Sequence, residues 1–134
     1  MTEASPPRLV SYTVDSRGDK HYTQEPAREQ VISKKTARTV QGLLEKVVRE
    51  GTGRSAAFPE AQVAGKTGTS QTGALKENEQ EILDTWFGGY FPAQEPRWAI
   101  VVMVEEGESG AVSAAPAFKE IARGMVSALG TRAN

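Results

Sequence analysis

The stretch that decides the fold is Val63-Ala64-Gly65-Lys66-Thr67-Gly68-Thr69-Ser70-Gln71, near the middle of a chain of 134 residues. In an extended strand, Lys66, Gly68 and Ser70 share one face, while Thr67 and Thr69 share the other. Glycine inside a strand leaves room for another backbone to approach closely, and free edge amides can pair with an added strand. Because an ammonium beside hydroxyls can hold a carboxylate, the stretch predicts a site for an anionic, peptide-like ligand.

Two motifs fit this stretch. Gly65-Lys66-Thr67 matches the end of the phosphate-binding loop G-x-x-x-x-G-K-[ST], but that motif needs glycine at position 60, where the chain has Glu60. The phosphate-binding motif also places a helix directly after the lysine, whereas Thr67-Gly68-Thr69 predicts that a strand continues. The second motif is the short K-T-G of several serine enzymes. Three residues alone are weak evidence, so the surrounding sequence decides between the two.

A three-stranded antiparallel sheet is predicted over residues 62–104. Its strands are Gln62 to Ser70, Asp84 to Phe91 and Trp98 to Val104, and a polar loop from Gln71 to Glu81 separates the first two. The last strand is a continuous apolar run, which is typical of a strand buried on both faces. The short connection after Phe91 predicts that the second and third strands form a hairpin.

Two amphipathic helices flank the sheet. The first is predicted over 34–50, with Ser33 as its N-cap and Gly51 as a left-handed C-terminal residue; its apolar stripe is Val40, Leu43, Leu44, Val47 and Val48. The second is predicted over 115–129 and ends at Gly130. Its inward face is Phe118, Ile121, Ala122, Met125, Val126 and Leu129.

The first 33 residues form a polar segment with a weak hairpin. Val10, Tyr12 and Val14 alternate, Asp15 to Asp19 reads as a turn, and Glu25-Pro26 closes the hairpin. The predicted fold class is therefore α+β, an antiparallel sheet with packed helices.

Composition excludes several classes of function. The chain is 38% apolar and 25% charged with a net charge of −1, which does not indicate a nucleic-acid partner. Without cysteine, and with His21 as its single histidine, it is expected to hold no metal and no cofactor. The longest apolar run, Trp98 to Val104, is far shorter than the roughly 20 residues of a membrane span. We expect a soluble segment without membrane contact.

The flanking sequence resolves the choice of motif. The strings VAGKTGTSQ, DTWFGGYFP, RWAIVVMVEE and AAPAFKEIARGMV, preceded by a helix that ends in VVREGTG, occur here in that order. Over roughly residues 35–129 the chain resembles the C-terminal part of a penicillin-binding protein transpeptidase domain, closest to the class B type. The resemblance implies that residues 1–134 are the C-terminal portion of such a domain, in a β-lactamase/transpeptidase-like fold.

In that family a serine in S-x-x-K attacks a D-Ala-D-Ala stem peptide and forms an acyl-enzyme, which a second peptide's amine resolves to cross-link peptidoglycan. The resemblance assigns Lys66 to the proton network and to attraction of the substrate carboxylate. It assigns Thr67 and Thr69 to carboxylate binding, Gly68 to the open strand edge, and the Thr69 amide to the oxyanion hole. Lys66 and Thr69 are thus candidate catalytic residues, and Lys66, Thr67, Gly68 and Thr69 are candidate substrate-binding residues.

The chain departs from the family in containing neither S-x-x-K nor S-x-N; Ser33-Lys34-Lys35-Thr36 has threonine where the lysine is required. We therefore expect a fragment that is inactive alone. Its implied partners are the stem peptide, β-lactams, and either the missing part of the domain or a second copy. Its implied location is the extracytoplasmic face of the bacterial membrane, in a membrane-anchored parent. The alternatives are a non-catalytic cell-wall interaction module and a fragment of a β-lactam sensor domain.

Overall fold

The computed structural model describes residues 3–4, 9–24 and 27–129, and the chain divides into two compact units. The first unit contains the residues up to Thr39, and the second contains those from Val40 onward. One helix, α1 (Lys34–Glu50), begins in the first unit and continues into the second.

The first unit is built from two small antiparallel pairs. Strand β1 (Glu3–Ala4) pairs with β4 (Glu29–Gln30), and β2 (Tyr12–Val14) pairs with β3 (Lys20–Tyr22). The β2–β3 pair is the hairpin that the alternation predicts, and all its strand residues are exposed. The predicted closure at Glu25-Pro26 lies outside the described residues.

The turn of this hairpin is organised by Asp15. One Asp15 carboxylate oxygen accepts the backbone amides of Arg17 and Asp19 at 2.8 and 3.1 Å, and the other lies 3.1 Å from His21 Nε2. The carboxylate therefore replaces backbone partners that so short a hairpin lacks. His21 is exposed but not isolated, because the hairpin brings Asp15 to it across the two strands.

Helix α1 covers the range that the apolar spacing predicts, and it begins where Ser33 Oγ accepts the amide of Thr36 at 3.0 Å. At its other end the amides of Gly51 and Gly53 both donate to the Val47 carbonyl at 3.0 Å. The expected left-handed conformation at Gly51 is wrong, since positive φ among the described glycines occurs at Gly18 and Gly73. Two amides already satisfy the last turn, so no left-handed residue is needed.

The apolar stripe of α1 is only partly used in the second unit. Val48 is buried, whereas Val40 and Leu43 are exposed, which corrects the expectation that the whole stripe faces inward. The C-terminal half of α1 packs on the segment that precedes the first strand of the sheet. No described element of the second unit covers the two exposed residues. Amphipathic spacing thus identifies the helix without fixing how much of its face is buried.

The second unit centres on a sheet with strand order β5-β6-β7, where β5 is Ala64–Leu75, β6 is Glu81–Phe91 and β7 is Trp98–Val104. The polar loop expected from Gln71 to Glu81 is wrong, because most of it is strand. The predicted first two residues of β5, Gln62 and Val63, instead lie before the strand. The register shifts between Gln71 and Leu75, and the turn itself is confined to residues 76–80.

Beyond β7, strands β5 and β6 form a two-stranded arm, since β7 ends opposite Thr85. Side chains hold this arm: Gln71 Nε2 donates to Glu81 at 2.6 Å and Thr72 Oγ1 donates to the Ile82 carbonyl at 2.8 Å. Polar strands of this kind lack the apolar alternation by which a strand is found in sequence.

Aromatic packing fixes the inner face of the sheet. Helix α2 (Ala115–Leu129) places Phe118 at 4.7 Å from Phe87 and 6.2 Å from Phe91, ring centre to ring centre. Gly65 and Gly89 lie opposite each other under the Phe87 ring. A methyl group at Gly65 would come within 2.6 Å of this ring, and one at Gly89 within 2.8 Å.

The other face of the sheet is open among the described residues. β7 alternates, with Val101 70% and Met103 41% exposed, so the expectation of a strand buried on both faces is wrong. A continuous apolar run does not report which face is covered, and here the described helix α2 covers the inner one.

Helix α2 follows a π-helical turn, Gly110–Ala114, and covers the predicted range. Phe118 and Ala122 are buried, but Ile121 is exposed, which corrects its placement on the inward face. The side chain of Leu129 and the predicted stop at Gly130 lie outside the described part. The predicted α+β class, an antiparallel sheet with packed helices, is confirmed.

Candidate active-site strand

The candidate site lies along the outer edge of β5. This strand pairs with β6 on one side and with no described strand on the other. Within the described chain, the backbone of Lys66 to Ser70 forms no hydrogen bond to a turn or loop. Alternate backbone groups of this segment therefore point to an open edge, which is the arrangement that accepts an added extended strand.

Lys66 is exposed and its ammonium is directed along the strand toward the next residue. Its Nζ donates to the Thr67 carbonyl at 2.7 Å and lies 3.3 Å from Thr67 Oγ1. The cation and the hydroxyl thus form one polar group at the edge. A carboxylate placed there would gain a charge-assisted hydrogen bond from the lysine and a second bond from a hydroxyl.

Thr52, in the turn that follows α1, joins this group although no motif in the sequence assigns it to the site. Its Oγ1 lies 2.9 Å from Thr67 Oγ1, and its position follows directly from the glycine turn that ends α1. The available sequence evidence was the string VVREGTG, whose threonine is the polar residue between two glycines. Three side chains, Lys66, Thr67 and Thr52, are therefore brought together.

Gly68 faces the aromatic side chain of Trp86 on β6. A methyl group at Gly68 would lie 3.3 Å from Trp86 Cβ, and the indole Nε1 donates to Ser70 Oγ at 3.0 Å. Because this residue has no side chain, nothing projects from the strand beside the indole, which its hydrogen bond to Ser70 holds in place. An approaching ligand backbone would meet a flat surface at this point.

Thr69 lies on the same strand face as Thr67, but it is exposed, and its hydroxyl has no hydrogen-bond partner among the described residues. The structure brings Lys66 and Thr67 into contact and leaves the Thr69 hydroxyl and Gly68 open beside them. This part of the predicted set is available to a ligand.

Gly110 packs closely against β5 and β6. A methyl group there would lie 2.6 Å from the Trp86 carbonyl oxygen, 2.7 Å from that of Gly68 and 2.9 Å from Thr67 Cβ. The π-helical turn can approach the two strands this closely only because the residue is glycine. No motif in the sequence predicts this contact.

The chemistry available at this edge is recognition of an anion by one cation, several hydroxyls and backbone groups. Within the described ranges, no three His, Asp or Glu side chains are grouped so that they could hold a metal ion. The helices of the described chain are too short or too polar to cross a membrane.

Comparison with known proteins defines the class. The family model of the penicillin-binding protein transpeptidase domain matches residues 3–123. The chain therefore belongs to this family of transpeptidase domains, and its predicted resemblance to the class B type is confirmed.

Among curated relatives, the chain is 36% identical over 132 residues to penicillin-binding protein PbpB of Mycolicibacterium smegmatis, covering 87% of this chain and 20% of the relative. It is 36% identical over 113 residues to stage V sporulation protein D of Bacillus subtilis, covering 79% of this chain and 17% of the relative. The chain thus spans about a fifth of the length of these relatives.

Solved structures give the same result. Penicillin-binding protein 3 of Mycobacterium tuberculosis, in complex with aztreonam, superposes with a TM-score of 0.75 at 29% identity, over 98% of this chain and 32% of that one. The D,D-transpeptidase domain of a peptidoglycan glycosyltransferase from Eggerthella lenta superposes with a TM-score of 0.69 at 34% identity, over 96% and 29% of the two chains.

Proposed function

We propose that this chain supplies one wall of a peptidoglycan D,D-transpeptidase active site, which binds the D-Ala-D-Ala end of a stem peptide and the β-lactams that mimic it. The observation that carries the proposal is the contact of Lys66 with Thr67 on a strand edge that no described strand pairs. Support comes from the M. tuberculosis relative, whose structures include complexes with ampicillin and aztreonam.

In this proposal each residue of the strand has one role. The Lys66 ammonium attracts the ligand carboxylate and takes part in proton transfer, and the hydroxyls of Thr67 and Thr69 donate to that carboxylate. Gly68 leaves space for the ligand backbone, and the Thr69 amide donates to the oxyanion that forms during acylation. Loss of one such donor typically raises the reaction barrier by ~3 kcal/mol.

The serine nucleophile is supplied from outside these 134 residues, since their sequence contains no S-x-x-K. The parent protein acts at the extracytoplasmic face of the bacterial membrane. Incubation of this chain with a fluorescent penicillin, followed by denaturing electrophoresis, should give no covalently labelled band. A labelled band at the mass of this chain would overturn the proposed division of the site.

A chimera tests the binding role directly. The matched segment of the M. tuberculosis protein is replaced by this chain, so that the relative supplies the rest of its transpeptidase domain. We expect the chimera to be labelled by fluorescent penicillin and the Lys66→Ala chimera to be labelled at least 100-fold more slowly, which is the loss expected for about 3 kcal/mol. Lys76→Ala, an exposed lysine in the β5–β6 turn, is the matched control. Equal labelling of both variants would overturn the role of Lys66.

A further inference from the structure

A second concave site lies away from the K-T-G edge, between α1 and the segment that leads into β5. It is a cavity of about 300 Å³, and the residues that matter for its chemistry are Glu45, Val48, Arg49, Phe58, Ala61 and Val63. This volume is at the lower end of the range of small-molecule sites. The cavity shares no residue with the candidate active-site strand.

The apolar part of the cavity is firmly held. Phe58 packs edge-on against Phe91 at 5.7 Å, and Phe58 and Ala61 are bridged across a tight turn. The Ala93 amide donates to the Gln62 carbonyl at 2.8 Å, which ties the same segment to the sheet. Val48, Phe58, Ala61 and Val63 are all buried. The floor is therefore a preformed apolar surface.

Glu45 and Arg49 line the cavity without pairing with each other, and the Arg49 side chain is 62% exposed and forms an ion pair with Glu50. Glu45 and Arg49 are one helical turn apart, a spacing at which such residues often pair. Arg49 Nε instead contacts Glu50 at 2.7 Å, and one Glu45 oxygen accepts the side-chain amides of Gln41 and Gln94, each at 3.0 Å. The other Glu45 oxygen and the terminal nitrogens of Arg49 have no partner among the described residues.

The Glu45 carboxylate is held by these two amides and lies close to Tyr90. Burial raises the pKa of the Tyr90 phenol, and the nearby charge of Glu45 raises it further. An anchored carboxylate, a guanidinium one turn away and a buried apolar floor together define a ligand with three parts. Those parts are an ammonium, a carboxylate and an apolar group.

We propose that this cavity binds a small zwitterion of the amino-acid type with an apolar side chain. Its ammonium donates to the free oxygen of Glu45, and its carboxylate accepts from the planar fork of Arg49. Its side chain packs on Val48, Phe58 and Val63. A peptide end would present only one of the two charges together with its side chain, so the site favours the free zwitterion.

The first experiment uses the unaltered, isotope-labelled chain and three probes in an NMR titration of backbone amides. Phenylalanine carries both charges, phenethylamine lacks the carboxylate, and 3-phenylpropanoate lacks the ammonium. We expect phenylalanine to shift the amides of Ala57, Ala61 and Val63 and to bind at least tenfold more tightly than either analogue. No shift at millimolar phenylalanine, or equal binding of all three probes, would overturn the proposal.

Charge variants test the assignment of each end. Glu45→Gln should bind phenylalanine and 3-phenylpropanoate about equally, and Arg49→Gln should bind phenylalanine and phenethylamine about equally. Lys46→Gln, at a neighbouring exposed position of α1, is the matched control and should retain the full preference. Lys66→Ala should also retain it, so this test is independent of the proposed transpeptidase role. If both cavity variants keep the preference, the assignment is wrong.

Discussion

Thr52 is expected to hold the Thr67 hydroxyl in position through a hydrogen bond, because the two oxygen atoms are 2.9 Å apart. In the chimera with the M. tuberculosis relative, Thr52→Val should slow acylation by fluorescent penicillin about tenfold, the effect of one lost hydrogen bond of roughly 1.4 kcal/mol.

Thr52→Ser keeps the hydroxyl and should restore most of this rate. Valine keeps the shape of threonine without the hydroxyl, and serine keeps the hydroxyl without the methyl group, so a purely structural effect would appear as a loss of thermal stability that parallels the loss of rate. Acylation that is slowed equally by valine and serine would contradict the positioning role.

Gly65 should tolerate no side chain, because a methyl group there would lie 2.6 Å from the Phe87 ring and 2.8 Å from the Gly88 carbonyl oxygen. Both neighbours are held by the sheet, so Gly65→Ala should lower the free energy of unfolding by about 1–3 kcal/mol.

The matched control is Gly42→Ala in α1, where nothing lies within 4 Å of the added methyl group. That change should stabilise the chain by roughly 0.5–1 kcal/mol, as alanine does inside helices. Urea denaturation of the two variants should therefore move in opposite directions. A shift of both in the same direction would refute the packing argument.

At the scale of elements, the stability of the β2–β3 hairpin should decrease at acidic pH. The contact with His21 and the amides of Arg17 and Asp19 lower the pKa of Asp15 below its ordinary value of 3.8. A lowered folded pKa means that the carboxylate stabilises the hairpin above pH 3.8, and this contribution disappears as the pH falls through the folded pKa.

An NMR titration of the Asp15 carboxyl carbon should give a midpoint below 3.8. In His21→Gln the midpoint should move upward, because the largest cause of the shift is removed. A midpoint at or above 3.8 in the unaltered chain would contradict the observed geometry of the turn.

The elements differ in how far the sequence determines them. Helix α1 and strand β7 were predicted at their observed bounds, since apolar spacing and a continuous apolar run are strong local patterns. The sequence does not predict a strand from Gln71 to Leu75, because polar side chains and not burial hold this segment as strand.

The candidate site shows the same division. Lys66, Thr67, Gly68 and Thr69 are consecutive, so a single motif identifies them. Thr52 and Gly110 are distant in sequence and reach the strand through the glycine turn after α1 and the π-helical turn before α2. No short pattern in one sequence predicts such contacts.

For the whole molecule, the open face of the sheet predicts self-association. Val101 and Met103 are exposed side by side on β7, and Trp86 lies opposite Met103 on β6. A contiguous apolar patch of this kind is a typical contact surface. Sedimentation should show a dimer or larger species at about 100 μM, and Val101→Lys should shift the chain toward monomer.

Lys119→Ala, on α2, is the control and should leave the association unchanged. A monomer for the unaltered chain at millimolar concentration would contradict this prediction.

The arm in which β5 and β6 continue beyond β7 has a consequence for how deuterium would enter the chain. Two strands without a third are marginal by themselves, so amide exchange from Gln71 to Leu75 should be fast. At the other end of β5, Ala64 and Gly65 are buried and should exchange slowly. Lys66 to Thr69 pair with Thr85 to Gly88, which β7 pairs on their other side, so these residues belong to the three-stranded part and should exchange more slowly than the arm. Local opening of the arm would therefore leave the candidate active-site segment of β5 paired and in place.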